Sequence, residues 1–326
     1  MNDLKNRILE MVRDDLTGIE AALIENLKPN VELVSTVAKH ILFSGGKRMR
    51  PLLMVLCARM CHYQGDYDKT FSIIFEYLHA ATLLHDDVVD EALMRRGKPA
   101  AHHLWGGAAA VLTGDFLLAR SLAIAAETHN IRIIQTISEI TENMAQGEIH
   151  QLMRKGDLSL SEAEYLEVIR RKTAVLFQGA CRVSALIADA PASWETALSD
   201  YGYHLGMAFQ MADDLLDYTD DSLALGKTVG ADLREGKLTL PVIYALNAAG
   251  SEDRLRMEAI ISNETFSMQD FQTLIAYLHR YEGIAYTRQQ ASSHIQAAKT
   301  AIARFEPSST RELLMDIADY TLQRKG

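Results

Sequence analysis

Apolar residues recur at steps of three and four along nearly the whole chain, and very little interrupts them. Only six prolines (Pro29, Pro51, Pro99, Pro191, Pro241, Pro307) punctuate 326 residues, so long helices can run unbroken. In "VELVSTVAKHILFSGG", Val34, Val37, Ala38, Ile41 and Leu42 share one stripe, with Asn30 as the expected N-cap and Ser44, Gly45 and Gly46 as the stop. Pro51 then suits the first turn of the next helix. Further helices are predicted over 3–28, 68–92, 107–128, 131–153, 161–188, 194–219, 240–249, 267–280, 282–304 and 308–323, with loops around Gly45–Arg50, Arg96–His103, Gly156–Ser159 and Gly226–Lys237. No alternating strand run or Asn-Gly hairpin stands out, and no low-complexity seam divides the chain. The sequence therefore reads as a single all-α domain over residues 1–326.

Two of these helices end in acid. "LLHDDVVDEALMRRGKP" places Asp86, Asp87 and Asp90 after an apolar run, and "MADDLLDYTD" repeats the knot at Asp213, Asp214 and Asp217. Phe71, Phe75, Leu78, Thr82, Asp86 and Asp90 follow helical steps, so the carboxylates continue a face that began as apolar. Gly206, Gln210, Asp213 and Asp217 form a similar stripe beside Leu205, Phe209, Ala212 and Leu216. Carboxylates one turn apart repel, and a hard divalent cation such as magnesium relieves that repulsion while bridging to phosphate. A single such motif in an acidic protein is ordinarily a solvated face; two copies set in apolar helix point to metal.

The formal charge of −10 argues against nucleic acid as a partner, yet positive charge gathers in compact groups. "GGKRMRP" supplies Lys47, Arg48 and Arg50; "MRRGKP" supplies Arg95, Arg96 and Lys98; "RRKTAVLF" supplies Arg170, Arg171, Lys172 and the hydroxyl of Thr173; "GKTVGADLREGK" supplies Lys227 and Lys237. Forked and flexible donors beside glycine suit phosphate esters, and separate groups suit two phosphorylated substrates. Cys57, Cys61 and Cys181 give no disulfide framework, and the first two, one turn apart, read as helix packing rather than a metal site. No run of about 18 apolar residues or signal peptide is evident, so the expectation is a cytoplasmic protein with no spanning helix.

In order and spacing from Ser44 to Ala245, these motifs resemble the trans-isoprenyl diphosphate synthases, through "GGKRMRP", "LHAATLLHDDVVDEALMRRGKP", "GDFLLARS", "FQMADDLLDY" and "GKTVGADLREGKLTLP". The resemblance implies an all-helical bundle around a deep central cavity, a homodimer, and magnesium-dependent head-to-tail condensation of isopentenyl diphosphate with an allylic diphosphate primer. It implies three magnesium ions per site, held by Asp86, Asp90 and Asp213, with Asp87, Asp214 and Asp217 completing the metal motifs. Lys47, Arg50, His79 and Arg96 match the isopentenyl diphosphate site. Arg95, Lys172, Thr173, Gln210, Lys227 and Lys237 match groups on the allylic diphosphate, with Lys172 and Lys227 joining the aspartates in catalysis. One departure is "GKTVG", where many relatives carry proline after the lysine, which touches only the loop's stiffness.

Within that family the tail descends beneath the first motif, and short-chain members tend to place bulky aromatics one turn upstream. Here Ala81 and Thr82 stand there, with Leu78 and Phe75 deeper and Leu118, Leu122 and Ala125 as candidates on the facing helix. A turn rises about 5.4 Å, comparable to one isoprene unit, so the reading is a long product (C30 or longer, octaprenyl within range). The alternatives are a geranylgeranyl or farnesyl diphosphate synthase of the same family. A non-catalytic partner subunit would typically lack some of these residues, and a class I terpene cyclase would not need "GGKRMRP".

Overall fold

The computed structural model describes residues 2–218, 230–263 and 265–323. Its contacts gather into two compact units, Met1–Thr141 with Leu176–Ser199 and Phe305–Leu314, and Glu142–Val175 with Asp200–Arg304 and Met315–Gly326. The helices are α1 (Asn2–Met11), α2 (Arg13–Leu27), α3 (Glu32–Leu42), α4 (Met49–Met60), α5 (Asp68–Val89), α6 (Ala101–Trp105), α7 (Gly107–Glu127), α8 (Ile131–Met153), α9 (Glu162–Ile169), α10 (Val175–Ile187) and α11 (Ala192–Leu216). Among the described residues six more follow: α12 (Ala231–Arg234), α13 (Leu240–Ala248), α14 (Ser251–Ile261), α15 (Met268–Arg280), α16 (Gly283–Ile302) and α17 (Ser309–Gln323). The all-α expectation holds.

In the first unit α5 packs against α2, α3, α4 and α7. Helix α4 is apolar all round and correspondingly buried from Pro51 to Ala58, as a helix without a polar face must be. Tyr77 of α5 donates its hydroxyl to the Leu23 carbonyl at 2.6 Å, so its one polar atom is satisfied inside the core. Helix α7 lays Gly114, Leu117 and Ser121 inward; a Cβ at Gly114 would stand 2.2 Å from His85 Nε2, so only glycine admits that ring. In the second unit α13 and α16 approach closely at Gly283, where a Cβ would stand 2.1 Å from the Pro241 carbonyl oxygen. Tyr244 and Tyr286 stack at 4.0 Å beside that crossing.

Several expectations need correction. The 3–28 helix breaks at Val12, and α3 is capped by Val31 in extended backbone rather than by Asn30. A two-stranded hairpin, β1 (Met94–Arg95) with β2 (Lys98–Pro99), occupies the expected loop, and α6 follows it. Its turn residues Arg96 and Gly97 both have positive φ, the signature of a primed turn, carried here by Arg-Gly instead of Asn-Gly. The 161–188 helix contains a π-helical turn at Arg170–Ala174, and α14 was not expected at all. Finally, α7 is long and apolar enough, by length and composition, to cross a membrane. Asp115 and Arg120 interrupt that apolar stretch, and α3, α5 and α6 pack against the helix within the first unit.

Candidate active site

Helix α5 ends at the first aspartate motif, with Asp90 as C-cap donating its amide to the Asp86 carbonyl at 2.8 Å. No basic residue stands in that last turn, so three carboxylates meet the negative end of the helix dipole uncompensated by their own helix. Asp86 and Asp90 are half-buried, whereas Asp87 is only 1% exposed. The Arg95 guanidinium donates to Asp87 Oδ1 through Nε at 2.8 Å and through Nη2, which fixes Arg95 beside the motif. Asp87 Oδ2 is buried with no hydrogen-bond partner.

The basic residues of this unit collect around His79, one helical turn before Leu83 on the same helix. Burial, then the charges of Arg50, Arg96, Arg95 and Arg48, push its imidazole well below the usual histidine range, so His79 is neutral at physiological pH. Lys47 is exposed; Arg50 is half-buried with its guanidinium 4.9 Å from the Phe177 ring centre. Arg96, at φ 52, hydrogen-bonds the Gly45 carbonyl and so joins the hairpin to the glycine loop. Phe75, Leu78 and Ala81 are fully buried and Thr82 is half-buried. On α7, Ala125 is buried, Leu118 is half-buried and Leu122 is exposed, so Leu122 does not face α5 as expected.

In the second unit α11 ends at the other motif, again without a basic residue in its last turn. The pattern of the first motif recurs: Asp213 is exposed, Asp217 half-buried and Asp214 buried. Asp214 accepts from the Tyr165 hydroxyl at 2.6 Å and from Gln210 Nε2 at 2.7 Å, and Gln210 Oε1 in turn accepts from Thr173 Oγ1 at 2.8 Å. One buried carboxylate thus orients two of the expected phosphate-binding residues. Burial, together with Asp213 and Asp217, raises Asp214 to about 7 against the two hydrogen bonds. Asp217 accepts from the amides of Ala231 and Asp232 at 3.2 and 3.1 Å, and burial leads the causes that raise it too.

Asp232 was missed in the sequence, where "GADLREGK" drew notice for its lysines. Burial and the charges of Asp214 and Asp217 lift its carboxyl well above the ordinary range, which makes it a fourth member of the cluster. Lys237 reaches Glu235 at 2.7 Å, and Lys172 pairs with Glu148 from the π-helical turn. That turn packs against α8 at Gly147, where a Cβ would stand 2.7 Å from the Arg171 Cβ. Lys227 lies outside the described residues. The donor sets fit a hard divalent cation: both are all oxygen, burial and mutual charge raise Asp214 and Asp217 in the second, and the first holds one orphaned buried oxygen at Asp87.

The polyprenyl synthetase family model matches residues 31–278. Octaprenyl diphosphate synthase of Escherichia coli (strain K12) is 37% identical over 318 residues, 98% of each chain. A decaprenyl diphosphate synthase from Rhodobacter capsulatus superposes with a TM-score of 0.92 at 37% identity, covering 98% of this chain and 99% of its own. A polyprenyl synthase from Caulobacter crescentus CB15, complexed with calcium and isoprenyl diphosphate, gives 0.91 at 38% identity over 98% of both chains. The chain belongs to the polyprenyl synthetase family and is a prenyltransferase. The expectation drawn from the motifs, a polyprenyl diphosphate synthase on an all-helical fold, is borne out.

Proposed function

We propose that this prenyltransferase repeatedly condenses isopentenyl diphosphate with an allylic diphosphate, head to tail, to a hexaprenyl or longer product in the range that includes octaprenyl. The observation that carries the chemistry is the shared ending of α5 and α11: aspartates at the negative pole of each helix, one of them buried and organising a phosphate-binding neighbour. In this reading Asp86, Asp90, Asp213 and Asp217 meet the metal, while Asp87 and Asp214 act mainly by holding Arg95 and Gln210. Magnesium, three ions to a site, supplies Lewis-acid stabilisation of the departing pyrophosphate.

Lys172, Thr173, Gln210, Lys227 and Lys237 bind the allylic diphosphate, assisted by Arg95. Lys47, Arg50, Arg96 and His79 hold isopentenyl diphosphate, and a neutral His79 donates a hydrogen bond without adding charge. The allylic carbon–oxygen bond ionises, the double bond of isopentenyl diphosphate attacks the cation, and the released pyrophosphate takes the proton. No side-chain base is required.

Chain length rests on Ala81, a small residue one turn above Leu78 on the buried face of α5, and on the octaprenyl and decaprenyl names of the relatives. A homodimer is supported by the apolar outer face of α7, where Val111, Leu112 and Leu122 are 36%, 64% and 40% exposed. Three buried free thiols support a cytoplasmic setting. The test is mass spectrometry of products from purified protein with magnesium, farnesyl diphosphate and labelled isopentenyl diphosphate. A ladder ending at hexaprenyl or beyond supports the reading; a stop at geranylgeranyl refutes the chain length, and no extension of any allylic primer refutes the reaction.

A further inference from the structure

Lys47, Arg48 and Arg50 look interchangeable in "GGKRMRP", but the fold treats Arg48 differently. Lys47 is exposed and Arg50 half-buried, while Arg48 is 6% exposed and turned into the protein. Its backbone lies in the left-handed region at φ 48, strained for a residue other than glycine, which turns its side chain away from the course of its neighbours. All three arms of the guanidinium are engaged. Nε donates to Glu20 of α2, Nη1 to Glu76 of α5 and Nη2 to the Leu42 carbonyl at the end of α3, each at 2.6 Å. One planar group therefore fixes the loop to three helices, a geometry that lysine's single ammonium cannot reproduce.

The fixed points matter because of what lies beside them. Glu76 stands one turn before His79 on α5. Gly46 is packed between two guanidinium groups: a Cβ there would meet Arg96 Nη1 at 3.1 Å and Arg48 Nη1 at 3.6 Å, and Arg96 holds the carbonyl of Gly45. Arg48 is thus the common anchor of the segment bearing Lys47 and Arg50, of the contact that seats Arg96, and of the helical turn that leads to His79.

We propose that Arg48 is a positioning residue for isopentenyl diphosphate, setting the relative places of Lys47, Arg50, Arg96 and His79 without touching the substrate. The proposal rests on the reading of those four residues as the isopentenyl diphosphate site. Removing the anchor frees the glycine loop, whereas Lys172, Thr173, Gln210 and Lys237 belong to the other unit and Arg95 is held by Asp87.

The test measures KM for isopentenyl diphosphate and for farnesyl diphosphate separately, with magnesium saturating. Arg48→Met alone leaves the buried Glu76 without its partner and endangers the fold, so Arg48→Met/Glu76→Gln carries the test, with Arg48→Lys as the conservative variant. The double variant is expected to melt near the wild type and to raise KM for isopentenyl diphosphate about tenfold or more, as for one lost charge-assisted hydrogen bond. KM for farnesyl diphosphate should stay within roughly twofold, and Arg48→Lys should fall between wild type and the double variant. A folded double variant with an unchanged KM for isopentenyl diphosphate, or with both constants raised equally, overturns the proposal. Lys47→Ala and Arg96→Ala serve as references. If they raise that KM and the double variant does not, positioning by Arg48 alone fails; if neither raises it, the substrate site itself is misassigned and the proposal falls with it.

Discussion

The carboxylate of Asp214 offers a direct measure of how strongly the second motif needs a cation. It is 5% exposed, held by Tyr165 and Gln210, and lifted from 3.8 to about 7 by burial and then, on the charge side, by Asp213 and Asp217. Its folded value lies above its unfolded one, so between these limits the folded chain keeps a proton that the unfolded chain releases. Stability without metal is therefore greatest below the unfolded value and falls as pH rises through the folded value. The span from 3.8 to about 7 corresponds to on the order of 4 kcal/mol, at about 1.4 kcal/mol per pH unit. Asp214→Asn removes the titration while keeping an acceptor for Gln210 and offering a donor to the Tyr165 oxygen. Urea unfolding of both proteins in EDTA, from about pH 5 to about pH 8, should show the variant gaining on the wild type by up to about 3 kcal/mol, the part of that span above pH 5. Magnesium should shrink the gap at the alkaline end, because it favours the charged carboxylates. A gap that does not change with pH, or one that moves in the wild type's favour, would refute the argument.

Three further outcomes are expected. Asp86→Ala should lower condensation on the order of 10³-fold while leaving the circular dichroism spectrum intact, the scale of losing a preorganised electrostatic contact; near-normal turnover contradicts its assignment as a ligand. Ala81→Phe, at a fully buried position, should shorten the longest product by at least one isoprene unit at a stability loss of about 1–3 kcal/mol, and an unchanged ladder removes Ala81 from the tunnel floor. His294, whose Nδ1 lies 2.8 Å from that of His204, is lowered to about 4 by burial and then by its neighbour. Here the unfolded chain binds the extra proton, so stability should decline as pH falls from about 6.5 toward about 4, and His294→Gln should flatten that slope.

Most of the site was legible because both aspartate motifs and all four basic groups are local in sequence, and helical spacing alone places Asp86 and Asp90 on one face. What stayed hidden depends on where a side chain turns. The three basic residues of "GGKRMRP" look alike until left-handed backbone at Arg48 sends its side chain inward. Asp87 and Asp214 look like their neighbours until Arg95 and Tyr165 arrive from elsewhere in the chain. Asp232 reaches the acidic cluster only through its short helix, α12, to whose first amides Asp217 accepts hydrogen bonds. Helix α14 escaped because it has no stripe to read: Met257 and Ile261 are buried, but Leu255 is 66% exposed.

Metal dependence at the two aspartate motifs is the property on which the proposed reaction turns. Incorporation of labelled isopentenyl diphosphate should vanish in EDTA, return as magnesium is added to the wild type, and need far more magnesium or fail altogether in Asp86→Asn and Asp213→Asn. Full activity in EDTA, or wild-type magnesium titrations from both variants, would contradict it.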